Sequence, residues 1–159
     1  MVGSPRMLDA RRQEQALELA ELATTSGLMD FQRPLWRELV KELLGADKRR
    51  QHLRAAAELE VDILSPDELA SLATSSVGAG GLAIVIDEEI PVGTDLELSI
   101  KVPQRKVPLL AKAKVVYRKV PYLGVAFTDL IQSDRELLEG IAVKALLSES
   151  PSGASGAGS

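Results

Sequence analysis

The sequence predicts a mainly β domain with helices at both ends. Three observations carry that expectation. Between residues 55 and 127 apolar and polar residues alternate at period two in several short runs. Glycine- and proline-bearing turns separate those runs. Before residue 45 and after residue 133 the apolar spacing becomes helical instead.

Residues 1–8 carry no pattern. Asp9 is placed as an N-cap, and Ala10 to Thr24 is built from Ala, Leu, Glu, Gln and Arg, all good helix formers. Thr25, Ser26 and Gly27 stop it. A second helix is expected from Asp30–Pro34 to about Leu44, with Pro34 tolerated in the first turn and Gly45 closing the end. Its Leu35, Trp36, Leu39, Val40, Leu43 and Leu44 form a wide apolar stripe opposite Arg37, Glu38, Lys41 and Glu42. A helical hairpin this short cannot bury its own faces. It must dock on the domain behind it, on a second copy as a homodimer, or on a protein partner. Leu35, Trp36, Leu39, Val40 and Leu43 are therefore the partner-binding candidates.

Ala57, Leu59, Val61 and Ile63 alternate with acidic residues and read as a half-buried strand. Ser65 to Glu68 is a turn, Leu69 to Thr74 a second strand, and Ser75 to Gly81 a glycine turn. Leu82 to Ile86 is a continuous apolar run, as in a strand covered on both sides. Pro91 to Thr94 turns the chain into Leu96, Leu98 and Ile100. After a proline-containing basic loop, Leu109 to Tyr117 and then Leu123 to Phe127 supply two further strands. Ser133-Asp134-Arg135-Glu136 has the spacing of a capping box for a helix whose Leu137, Leu138, Ile141, Ala145 and Leu146 would cover an open end of the sheet. Residues 148–159, SESPSGASGAGS, have the composition of a disordered tail.

Composition excludes several chemistries. The chain of 159 residues has no cysteine and a single histidine, His52, so disulfides, thiolate catalysis, a Cys–His pair and a multi-histidine metal site are ruled out. A net charge of −4 and few aromatics argue against nucleic-acid binding. No run approaches the ~20 apolar residues of a membrane span, and the N-terminus lacks a signal-peptide core, so a cytoplasmic location is expected. The Gly-Ala-Gly-Gly string lacks the Gly-Lys-Ser/Thr of a nucleotide triphosphate loop. No catalytic residue, metal or cofactor is assigned.

Two motifs stand out in order. Arg50-Gln51-His52-Leu53-Arg54, preceded by Arg49, has the form Arg-x-x-x-Arg. Ser76-Val77-Gly78-Ala79-Gly80-Gly81 then leads into the apolar strand. Together with Val115-Val116-Tyr117 and Gly124-Val125-Ala126-Phe127, this order resembles the PilZ domain. The resemblance implies a six-stranded antiparallel PilZ-type β-barrel over residues 48–147, with a helical extension over 1–47 and a tail over 148–159. It further implies cyclic di-GMP as ligand, held by Arg49, Arg50, Arg54, Ser76, Gly78, Gly80 and Gly81. Arginine suits such a ligand because its planar fork pairs with phosphate or guanine edges. The family's second motif is Asp/Asn-x-Ser-x-x-Gly. Here Ser76 stands for the acid or amide and Gly78 for the serine. A second alignment keeps Ser76 as the serine and puts Thr74 in the acid position, with an insertion before Gly81. A carboxylate accepts two hydrogen bonds from guanine donors, which a lone hydroxyl does not reproduce. Two functions of a non-enzymatic regulator therefore stand side by side. One is a cyclic di-GMP effector. The other is a PilZ-like adaptor that has lost the nucleotide and acts through its helices on a protein in motility or polarity control.

Overall fold

The computed structural model describes residues 8–45 and 52–148. Helix α1 (Ala10–Thr24) starts at Asp9, whose carboxylate accepts from the Arg12 amide at 2.8 Å. A single 3-10 turn (Asp30–Gln32) leads into α2 (Arg33–Leu44), and Gly45 closes that helix at φ 68°. Seven strands follow: β1 (Arg54–Ala55), β2 (Glu60–Ser65), β3 (Leu69–Gly78), β4 (Gly81–Val85), β5 (Asp95–Lys101), β6 (Leu109–Lys119) and β7 (Tyr122–Asp129). Helix α3 (Gln132–Ser148) ends the described chain.

All strand pairs are antiparallel, in the order β3–β2–β5–β6–β7–β4, and β4 pairs back onto β3. Six strands thus close into a barrel. Closure removes free edges, which a small sheet otherwise exposes to other chains. The two-residue β1 pairs only with the end of β3, Arg54 opposite Gly78. The alternation in the sequence becomes the inside and outside of the barrel. Val61, Ile63, Leu82, Ile84, Leu98, Ile100, Leu123 and Val125 fill the interior, none more than 1% exposed.

The predicted elements appear with three corrections. Strand β3 runs on through Gly78, so the glycine turn shrinks to Ala79–Gly80. Register shifts between Thr74 and Ser76 let the strand continue without an alternating apolar set. Helix α3 begins at Gln132, one residue before the expected capping serine, and its first-turn bond runs from the Arg135 amide to the Ile131 carbonyl. Glu136 does not close a capping box; it is buried and bound by Arg33 across to α2.

The apolar stripe of α2 is also covered from within. Trp36 and Leu39 are fully buried, Val40 and Leu43 nearly so, and Leu35 is half-buried. They pack in a second core with Ala16, Ala20, Leu28, Leu53, Ala55, Ala142 and Val143. Of the partner-binding candidates, Trp36, Leu39, Val40 and Leu43 have their area taken up inside the molecule, and Leu35 is half-buried. The exposed apolar groups of the hairpin are Leu17, Met29 and Phe31 instead.

Helix α3 joins the two cores. Its Leu137 and Leu138 belong to the barrel core, and its Ala142 and Val143 to the helical one. At Gly140 the helices cross closely: a Cβ there would lie 2.9 Å from Cγ2 of Thr24 and 3.1 Å from the Ala20 carbonyl oxygen.

Candidate functional site on the outer barrel face

The outer face of β3, β4, β7 and β6 is assembled row by row. Leu82, Ile84, Leu123 and Val125 point inward, so Ala83, Val85, Tyr122 and Gly124 between them point outward. One cross-strand row reads Ser76, Ala83, Gly124, Tyr117. The next reads Ala73, Val85, Tyr122, Lys119. On the other side Gly81 pairs with Ala126, and Ala126 with Lys114.

The central row has almost no side-chain bulk between its ends. Ser76 offers a half-buried hydroxyl at one end. At the other, the Tyr117 ring lies over Gly124, where a Cβ would sit 1.9 Å from Cε2 and 2.3 Å from Cδ2. One side of that ring is covered by the strand, and Tyr117 remains 39% exposed. An aromatic ring resting on a glycine is a platform on which a planar base can stack. The sequence displays Tyr117 and Gly124 separately. Their meeting depends on the register shift between Val115 and Tyr117, which no periodicity reveals.

Of the arginines, Arg54 is described: it is exposed on β1, opposite Gly78. Arg49 and Arg50 lie outside the described residues. The glycines prove to serve the protein's own packing. A Cβ on Gly78 would stand 2.3 Å from the Leu53 carbonyl oxygen, and one on Gly81 would stand 2.0 Å from that of Val125. Gly80 faces the His52 ring, with Cδ2 2.8 Å from the built Cβ. Close approach is thus the reason for glycine at all three positions, and the approaching groups belong to this chain. Thr74 is likewise engaged. Its buried hydroxyl donates to the Ala57 carbonyl and accepts from the Leu59 amide, both at 2.8 Å, tying down the approach to β2.

A polar ladder sits at the α2–α3 junction. The Arg33 guanidinium forks onto Glu136 at 2.7 and 3.1 Å. One turn on, Trp36 Nε1 donates to Glu139 Oε1 at 2.9 Å. Burial pushes the Glu139 carboxyl above its ordinary range, against the opposing pull of the Trp36 hydrogen bond and the nearby Arg37 charge. Among the described residues no group of three or more His, Asp or Glu is placed to hold a metal ion. No helix among them is long and apolar enough to cross a membrane.

Comparison with known proteins agrees with the fold. The PilZ domain family model matches residues 48–143, more than half of the 159-residue chain. The chain belongs to the PilZ domain family, whose domains are as a class non-catalytic receptors for cyclic di-GMP. Among solved structures it is similar to the Bacillus subtilis inhibitor of motility MotI/DgrA, at 22% identity and a TM-score of 0.56. That match covers 64% of this chain and 53% of the other, so the chain spans about half the length of that protein. It is also similar to the PilZ domain of Escherichia coli YcgR, solved with c-di-GMP, at 16% identity and a TM-score of 0.51. The second match covers 69% of this chain and 99% of that domain. No curated protein matches the chain.

Proposed function

We propose that this chain is a non-enzymatic cytoplasmic signalling protein that takes cyclic di-GMP on the outer face of its barrel. Arg54, with Arg49 and Arg50 preceding it, binds phosphates and guanine edges from one side. Ser76 supplies a hydroxyl from the barrel, and Tyr117 supplies a stacking surface. The observation that carries this reading is the row Ser76–Ala83–Gly124–Tyr117: a hydroxyl and an aromatic platform with nothing larger than a methyl group between them. The domain of YcgR, to which the barrel is similar, was solved with this nucleotide. The arginine segment connects α2 to β1, so a ligand held by it acts directly on the helical extension.

A second reading is favoured by a specific observation. His52 and the Leu53 carbonyl already lie against Gly80 and Gly78, and no carboxylate stands in the Ser76 row. These features suit an adaptor that keeps the barrel and engages a protein in motility control; the B. subtilis protein of similar fold is named an inhibitor of motility. Calorimetric titration with cyclic di-GMP separates the two. The receptor reading expects saturable binding, weakened at least roughly tenfold by Arg50→Ala/Arg54→Ala. Absence of heat and of thermal stabilisation at saturating nucleotide leaves only the adaptor.

A further inference from the structure

A cleft lies away from the barrel face. It has a volume of about 620 Å³ and opens between α2 and α3, with His52 at its rim. The half-buried Leu44 gives it an apolar wall above the buried Val40, and Arg37, Lys41 and Arg135 bring positive charge to it. Two carboxylates also line it: Glu139 accepts the indole N–H of Trp36, and Glu38 is largely exposed, 4.0 Å from an Arg12 that Glu42 already holds. Arg135 also donates to the Leu130 carbonyl, so Arg37 and Lys41 are the cations on the exposed side of α2.

We infer that this cleft is a second binding site, for a small organic phosphate with an apolar or planar body. The volume falls within the range of pockets that enclose a small ligand. The cations match a phosphate, and guanidinium groups hold it by paired hydrogen bonds. The apolar wall gives a reason for the ligand to carry more than the phosphate. The site is independent of the barrel-face site: it shares none of Arg54, Ser76 or Tyr117. Its occupant would touch both helices and the segment entering the barrel, and so would fix α2 against α3.

The protein carries its own reporter, because Trp36 is the sole tryptophan and its N–H is held by a residue of the cleft. The experiment titrates the full chain with phenyl phosphate and with inorganic phosphate while following Trp36 emission. Phenyl phosphate is expected to change the emission saturably, and inorganic phosphate at least about fivefold more weakly. Arg37→Ala/Lys41→Ala, both on the exposed side of α2, is expected to weaken phenyl phosphate roughly tenfold. Arg135→Ala repeats the test from α3 should the double variant misfold. No saturable change up to roughly 10 mM, or an equal response from the cleft variants, overturns the site.

Discussion

The two cores of this molecule are built on different principles. The barrel interior is a closed layer made mostly of Val, Leu and Ile, set by alternation along the strands. The helical core is held in register by polar pairs set into an apolar surround: Arg33 with Glu136, and Trp36 with Glu139. Both pairs link residues of α2 and α3 one helical turn apart, so they act as two rungs of a ladder. Apolar burial supplies stability without much preference among sliding positions. Buried hydrogen bonds are costly to break and therefore specify one position. The difference suggests a division of labour, in which the barrel supplies a rigid platform and the ladder sets where the extension sits on it.

Substitutions in each core sharpen that contrast. Leu98 is fully buried in the barrel, and Leu98→Ala is expected to cost about 2–5 kcal/mol in chemical denaturation while leaving the helical core intact. Trp36→Phe keeps an aromatic ring but removes the donor to Glu139. A loss of about 1–3 kcal/mol is expected, with faster hydrogen exchange across α2 than across the strands. Equal protection changes in barrel and helices would mean that the two cores are one cooperative unit.

The smallest expected effect is on pH dependence. The Glu139 carboxyl is held above its ordinary 4.5 by burial, so across that window the folded protein binds more protons than the unfolded chain. Its contribution is therefore fully favourable below the unfolded value and is lost as pH rises through the raised folded value. Glu139→Gln is expected to flatten that part of the stability profile while keeping a side-chain acceptor for Trp36. A profile unchanged in slope would show that Glu139 is not the group responsible.

The contrast also accounts for what was legible in the sequence. Barrel strands announce themselves because inside and outside alternate along each one, and the helix formers and caps of α1 and α2 are local signals. The ladder joins residues 103 positions apart, so no local pattern contains it. It also explains why Ser133–Glu136 misleads: Glu136 has the capping-box spacing but turns to Arg33. The stripe of α2 could be read as apolar, while what would cover it could not. The outer face was half legible. Arg54 and Ser76 were proposed from their motifs. Tyr117 was not singled out, because only a register shift brings it over Gly124. The glycines were read as ligand contacts, and close packing against Leu53, His52 and Val125 explains them without a ligand.

The most direct test of the barrel-face claim is a residue-resolved amide NMR titration of the full chain with cyclic di-GMP. The receptor account predicts saturable shifts centred on Arg54, Ser76, Ala83, Gly124 and Tyr117, with a smaller response along α2. A spectrum unchanged at saturating nucleotide, or shifts confined to the α2–α3 cleft, would contradict it.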